Sequence, residues 1–276
     1  MSRPDHPTPW RRLRHRARTM ATEHPRLYLP FARRKYPGPS PEVISAHTEL
    51  VIDGYTRSGS TFAVYAFQLA QPRPVRVAHH LHAPAQLIAG VRAGLPVLVV
   101  LRHPRGAVLS QLAREPDVAL ADALFAYRRF HTHLLPWLTG LVVADFEEVT
   151  TDFGAVIRRV NERFGTGYAV FRHDEQASSE VNALVALRSH LSPGMLGFES
   201  GTVGQAEMRA EARRLARAPR DGAPWLPSAD RDRVKDALLA QWNHPAVRRP
   251  RQAAEEIHAV LRARTGQERT VDGAGA

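Results

Sequence analysis

Three groups of residues have the types and spacing to do chemistry. The first is Gly54-Tyr55-Thr56-Arg57-Ser58-Gly59-Ser60-Thr61, a run of small residues around one cation, set between an apolar segment and a helical one. Glycine, serine and threonine in that position let successive backbone N–H groups converge on an anion at a helix N-terminus. The second group is Arg102, at the end of the apolar run Leu95–Leu101, with Ser110 eight residues later. An arginine at the carboxyl end of a buried strand points into the crevice where α/β sheets bind ligands. Its fork holds phosphate bidentately, and Ser110 adds a neutral donor. The third group is His79-His80-Leu81-His82, imidazoles whose ordinary pKa near 6.5 suits a general base. A metal held there would need a further ligand, and no carboxylate or cysteine lies beside them in the chain.

The spacing of the first group is that of a nucleotide-triphosphate P-loop, with Ser60 at the lysine position and a cation three residues earlier, at Arg57. Loss of the lysine that reaches the β- and γ-phosphates counts against an ordinary ATPase or kinase. A cation moved to the apex of the loop resembles the sulfotransferases that use 3′-phosphoadenosine 5′-phosphosulfate (PAPS). Their loop reads Pro-Lys/Arg-Ser-Gly-Thr/Ser-Thr followed by an aromatic residue. Arg57-Ser58-Gly59-Ser60-Thr61-Phe62 is similar, particularly to the arginine form of the carbohydrate sulfotransferases. In that family a strand ends in arginine and a serine follows on the next helix, as Arg102 and Ser110 do. Val143-Ala144-Asp145-Phe146-Glu147-Glu148-Val149 resembles the family's strand and acidic turn, so the likeness spans residues 48–165. The family's carboxy-terminal Arg-Lys-Gly element is absent, with Arg209, Arg213 and Arg214 as candidate replacements.

The resemblance implies a three-layer P-loop-like α/β fold, a central and mainly parallel sheet flanked by helices. It implies PAPS as donor substrate, bound by Arg57, Ser58, Gly59, Ser60, Thr61 and Phe62 at the 5′ end and by Arg102 and Ser110 at the 3′-phosphate. Phe62 is either an adenine platform or a core aromatic. Arg57 is the catalytic charge clamp, and His80 the catalytic base by its place in the family's pattern, with His79 second. Carbohydrate sulfotransferases with the arginine loop often use a carboxylate instead, so the base stays open. No metal ion is expected, because the donor is already an activated mixed anhydride. The acceptor is a small molecule, lipid or carbohydrate of unspecified identity. The competing readings are a degenerate P-loop phosphotransferase or NTPase, and a non-catalytic nucleotide-binding protein.

These groups need a scaffold, and the hydrophobic pattern supplies one. Leu50–Ile52, Val75–Val77, Leu95–Leu101 and Leu141–Ala144 read as strands, the third apolar enough to be buried on both faces. Helices are expected at Thr61–Leu69, 84–93, Ala107–Ala113, Val118–Leu138 and Phe153–Phe164, the last stopped by Gly165. Two more are expected, from Ser228 to Trp242 and from Arg251 to Arg264. Strands alternating with helices argue for a parallel sheet. Residues 173–225, with Gly194, Gly197, Gly201 and Gly204, are expected to form mobile walls over the acceptor.

Composition closes off other classes. With 276 residues, one sizeable domain is expected over 46–264, after an extension and linker (1–45) and before a flexible tail (265–276). No cysteine is present, which excludes disulfides, thiolate metal sites and a cysteine nucleophile and fits a cytoplasmic protein. No apolar run is long enough to span a bilayer, and the basic start lacks the apolar core of a secretory signal. The net charge of +11 is concentrated: residues 1–36 hold ten lysines and arginines against two acidic residues. Sequence-specific nucleic-acid binding is therefore not expected. The arm is expected to be solvated and partly disordered, with peripheral contact to an anionic surface as its alternative role.

Overall fold

The computed structural model describes residues 8–35, 42–217 and 229–271. Four strands, β1 (Leu50–Gly54), β2 (Val77–His79), β3 (Val97–Leu101) and β4 (Val142–Asp145), pair in parallel in the order β2-β1-β3-β4. Side chains alternate across the sheet. Val51, Val97, Val99, Leu101 and Val143 pack into one core; Leu50, Ile52, Leu98, Val100 and Val142 pack into the other. Both faces are covered, so the fold is a three-layer α/β sandwich with an all-parallel sheet, the class the sequence pattern predicts.

The first face carries α1 (Pro9–Ala21), α2 (Pro25–Lys35), α4 (Pro84–Arg92), α5 (Pro104–Leu112), α6 (Leu120–Thr132), α12 (Ala229–Trp242) and α13 (Arg248–Val271). The second face carries α3 (Ser60–Ala70), α7 (Phe146–Thr151), α8 (Phe153–Phe164), α9 (Glu175–Leu187), α10 (Pro193–Ser200) and α11 (Gln205–Leu215). The connection leaving β1 runs outward to β2 through α3 on one face, and the connection leaving β3 runs the other way to β4 through α5 and α6 on the opposite face. A crevice opens where those connections diverge, at the carboxyl ends of β1 and β3. The phosphate-type loop follows β1, His79 ends β2 with His80 and His82 just after it, and Arg102 follows β3.

Several boundaries differ from the sequence reading for local reasons. The second strand starts at Val77 instead of Val75, because the Gln68 side chain takes both backbone groups of Val75, at 2.7 and 3.3 Å. The helix expected to run to Leu138 stops near Thr132 and gives way to a 3-10 turn, Leu135–Gly140, where Pro136 has no N–H to donate. The last helix continues to Val271, past its expected end at Arg264.

The basic arm is also not loose over residues 8–35. Arg12 and Arg16 of α1 donate to the buried carboxylate of Asp122 on α6, at 2.8 and 2.7 Å. Burial works to raise the Asp122 pKa, but the two guanidiniums outweigh it and hold the carboxyl below its usual range. Arg129 of α6 donates to the buried Glu23 between α1 and α2. Residues 1–7 and 36–41 of the expected extension and linker, 218–225 of the expected acceptor wall, Ser228 at the expected start of a helix, and 272–276 of the expected tail lie outside the described residues.

Candidate functional site

The loop after β1 is shaped by close approach. A Cβ on Gly54 would sit 2.4 Å from the Val100 carbonyl oxygen and 2.5 Å from Ser58 Oγ, so only glycine fits. Gly59 has φ +99°, and a Cβ there would meet the Phe146 ring at 2.8 Å. Arg57 is held at φ 65°, in the left-handed region that costs a non-glycine residue of order 1 kcal/mol or more. Gly59 caps α3 without a side-chain hydrogen bond, so no side chain occupies the first amides of that helix. Ser58 Oγ is buried and without a hydrogen-bond partner. An anion seated at this N-terminus would satisfy the first amides of α3 and meet the positive end of the helix dipole.

The two arginine motifs converge. Arg57 Nε donates to Ser110 Oγ at 3.1 Å, and Arg102 Nη1 donates to the Arg57 carbonyl at 2.9 Å. Arg102 stacks on Phe146, its guanidinium carbon 4.0 Å from the ring centroid, and Tyr127 Oη donates to the Arg102 carbonyl at 2.7 Å. Burial lowers the Arg102 pKa, which sets a charged, partly desolvated donor at the cleft. Residues 45 and 53 positions apart in the chain thus form one cationic wall.

The histidines lie beside it. His80 Nε2 is 2.9 Å from Thr61 Oγ1, and its Nδ1 is 2.5 Å from His79 Nδ1. Burial is the main cause that pushes both imidazoles down, His79 to about 3 and His80 well below 6.5, with Arg188 adding to each. The pair rests on Glu199 of α10, whose carboxylate oxygen is 4.0 Å from His79 Nδ1 and 3.9 Å from His80 Nδ1. Arg188 closes the cluster by donating to Glu199 at 2.5 and 3.2 Å.

His82 behaves oppositely. Its Nδ1 is 2.9 Å from the Gly54 carbonyl and 3.2 Å from the fully buried carboxylate of Asp53, which also accepts from the His82 amide at 3.0 Å. Burial opposes the charged ring, but the Asp53 hydrogen bond and charge prevail and raise its pKa.

A cleft of about 500 Å³ collects Arg57, Gly59, Ser60, Thr61, Phe62, His80, His82, Arg102 and Ser110, with Arg188 and Lys235 completing its rim. A second cavity of about 320 Å³ shares Thr56, His80 and His82 with the first and extends under α1 to His15, Arg18, Thr19, Gln111 and Glu115. The sequence-expected residues therefore lie together, except that His79 is buried behind His80 and Ser58 beneath the loop. Phe62 lines the cleft with its ring 5.9 Å from His173. Arg209 and Arg214 pair instead with Glu180 and Glu211, and Arg213 and Arg214 line a separate groove. The cleft's additional cations are Arg188 and Lys235.

Sequence reasoning missed Asp53, Glu199 and Phe146. Asp53 had a signal, a charge inside the apolar strand Leu50-Val51-Ile52-Asp53, where an acid is buried only with partners. Glu199 comes from a distant helix and supplies the carboxylate that the histidine run lacks locally. His79, His80 and Glu199 could together hold a metal ion, their ligand atoms lying within 4.8 Å of one another. Arg188 already neutralises the carboxylate, however, and the 2.5 Å contact between ring nitrogens is hydrogen-bond spacing.

No protein-family model matches the chain, and no curated protein matches it. Among solved structures it is similar to mouse sulfotransferase SULT7A1 complexed with PAP. The identity is 12%, the match covers 80% of this chain and 92% of that one, and the TM-score is 0.35. Among the described residues no helix is long and apolar enough to cross a membrane.

Proposed function

We propose that the protein is a sulfotransferase that moves the sulfuryl group of PAPS to a hydroxyl or amine. The observation that carries this reading is the convergence of Arg57, Arg102 and Ser110 on an α-helix N-terminus free of side-chain capping. Two anionic ends can be met there at once: the 5′-phosphosulfate by Arg57 and the amides at the start of α3, the 3′-phosphate by Arg102 and Ser110. Gly59 opens α3 with no side chain of its own, which leaves the first amides to an anionic occupant.

In the transfer, the acceptor oxygen or nitrogen forms a bond to sulfur as the bond from sulfur to the phosphate oxygen breaks. Charge builds on the departing phosphate, where Arg57 and the amides are already oriented. Arginine stays protonated, so Arg57 acts as a fixed charge and not as an acid. The acceptor's proton goes to His80. If the Thr61 hydroxyl donates to His80 Nε2, His80 Nδ1 carries the proton shared with His79, and the imidazole is neutral. Thr61 then marks the position an acceptor hydroxyl would take. The second cavity, which shares His80 and His82 with the cleft, is the acceptor's place in this reading.

Labelled PAPS and a panel of hydroxyl and amine acceptors test the proposal. Transfer should occur and should fall by roughly 100- to 1000-fold in Arg57→Ala, the loss expected for one oriented charge-stabilising donor. Undiminished transfer in Arg57→Ala would remove the loop from the chemistry.

A further inference from the structure

Helix α1 is packed with its polarity reversed. A surface helix of a folded domain ordinarily turns apolar residues inward and charged residues outward. Here the docked side is polar: Arg12 and Arg16 bind Asp122, and His15, Thr19 and the following Thr22 line the second cavity. The apolar residues Trp10, Leu13, Ala17 and Met20 recur at three- and four-residue steps and so share one side of the helix. That side faces solvent, with Trp10 71%, Leu13 58% and Met20 47% exposed. Arg14 flanks the stripe; beyond it Arg11 pairs with Asp117 at 3.6 Å and Arg18 borders the second cavity. Helix α2 continues the theme: Leu27 and Phe31, one turn apart, are 70% and 62% exposed between Arg26 and the run Arg33-Arg34-Lys35.

We propose that α1 and α2 form a docking surface for an anionic lipid bilayer. Bulky apolar side chains flanked by arginines are what a helix lying in the headgroup layer presents, the apolar side entering the acyl boundary and the arginines meeting phosphates. A second copy of this chain is the other candidate occupant for an apolar stripe. Its own stripe lies in a segment with ten basic residues against two acidic ones, so two copies meeting there would bring like charges together. An anionic bilayer offers the opposite sign. The proposal does not depend on the sulfotransferase reading, since the surface lies outside the cleft. The inner side of α1 lines the second cavity, so a docked molecule holds that cavity within one helix diameter of the lipid.

Vesicle co-sedimentation of the full chain tests this directly. The protein should bind vesicles of phosphatidylcholine containing about one-third phosphatidylserine, and at least about tenfold less to phosphatidylcholine alone. Raising salt from about 0.1 to about 0.5 M should weaken binding. Trp10→Ser with Leu13→Ser, and separately Phe31→Ser, should each lower binding several-fold, while circular dichroism and melting temperature stay at wild-type values because these side chains are exposed. Equal affinity for both vesicle types, or no binding to either, overturns the proposal. So does concentration-dependent dimerisation that Trp10→Ser with Leu13→Ser abolishes, because the stripe would then be an interface between copies.

Discussion

His131 makes the fold sensitive to acid in a way that one substitution can isolate. Its ring is fully buried on α6 among Tyr55, Tyr127 and Phe130, with the Tyr127 centroid 4.2 Å away. Nδ1 donates to the Tyr127 carbonyl at 2.8 Å, so the neutral tautomer carries its proton there. Nε2 is buried with no partner, and a second proton would have no acceptor. Burial accordingly pushes the pKa to about 3. The unfolded chain takes up a proton near pH 6.5 and the native state does not, so stability falls as pH drops below 6.5 and continues to fall until about pH 3. At about pH 5 this one residue should cost about 2 kcal/mol relative to neutral pH. Urea melts of wild type and His131→Gln at about pH 7.5 and pH 5 give the two differences. The variant should lose about 2 kcal/mol less on acidification, whatever it loses at neutral pH. An identical acid loss in both proteins would mean that His131 is not the residue responsible.

Other consequences are as specific. Arg188→Ala should destabilise the protein by about 3–5 kcal/mol in denaturant melts, since it strands the buried carboxylate of Glu199. Gly54→Ala should lower the melting temperature by an amount equal to about 1–3 kcal/mol or more, because the clash is with a backbone oxygen of the neighbouring strand that cannot swing aside. The pH profile of kcat/KM separates His80 from His82, the other imidazole that lines the cleft. With His80 as base, held well below 6.5, activity stays level as pH falls through 6.5; with His82, whose pKa is raised, it declines already above that pH. His80→Ala should remove transfer, and His82→Ala should leave most of it.

What the sequence made legible was local. A strand, a glycine-rich loop and a helix follow one another between Leu50 and Ala70, and the same local logic puts Arg102 at the end of β3. Three strands were readable because Leu50–Ile52, Leu95–Leu101 and Leu141–Ala144 are apolar runs, whereas the one expected at Val75–Val77 contains Arg76 and lies instead at Val77–His79. What escaped is carried by contacts between distant residues. Glu199 meets His79 only after α10 folds back against β2. Phe146, which looks like part of an acidic turn, becomes the plate beneath Gly59 and Arg102. A run of arginines by itself suggests a solvated arm, whereas the buried acids Asp122 and Glu23 fix residues 8–35 in place.

A cleft built for PAPS must bind a nucleotide carrying phosphate on both the 3′ and 5′ positions. Calorimetric titration with adenosine 3′,5′-bisphosphate and with ATP, in the presence of EDTA, measures this. The bisphosphate should bind without Mg²⁺ and more tightly than ATP, and Arg102→Ala should lower its affinity by roughly 10- to 100-fold, the loss of one hydrogen-bonded charge. Tight binding of ATP that requires Mg²⁺ and is indifferent to the 3′-phosphate would contradict the account.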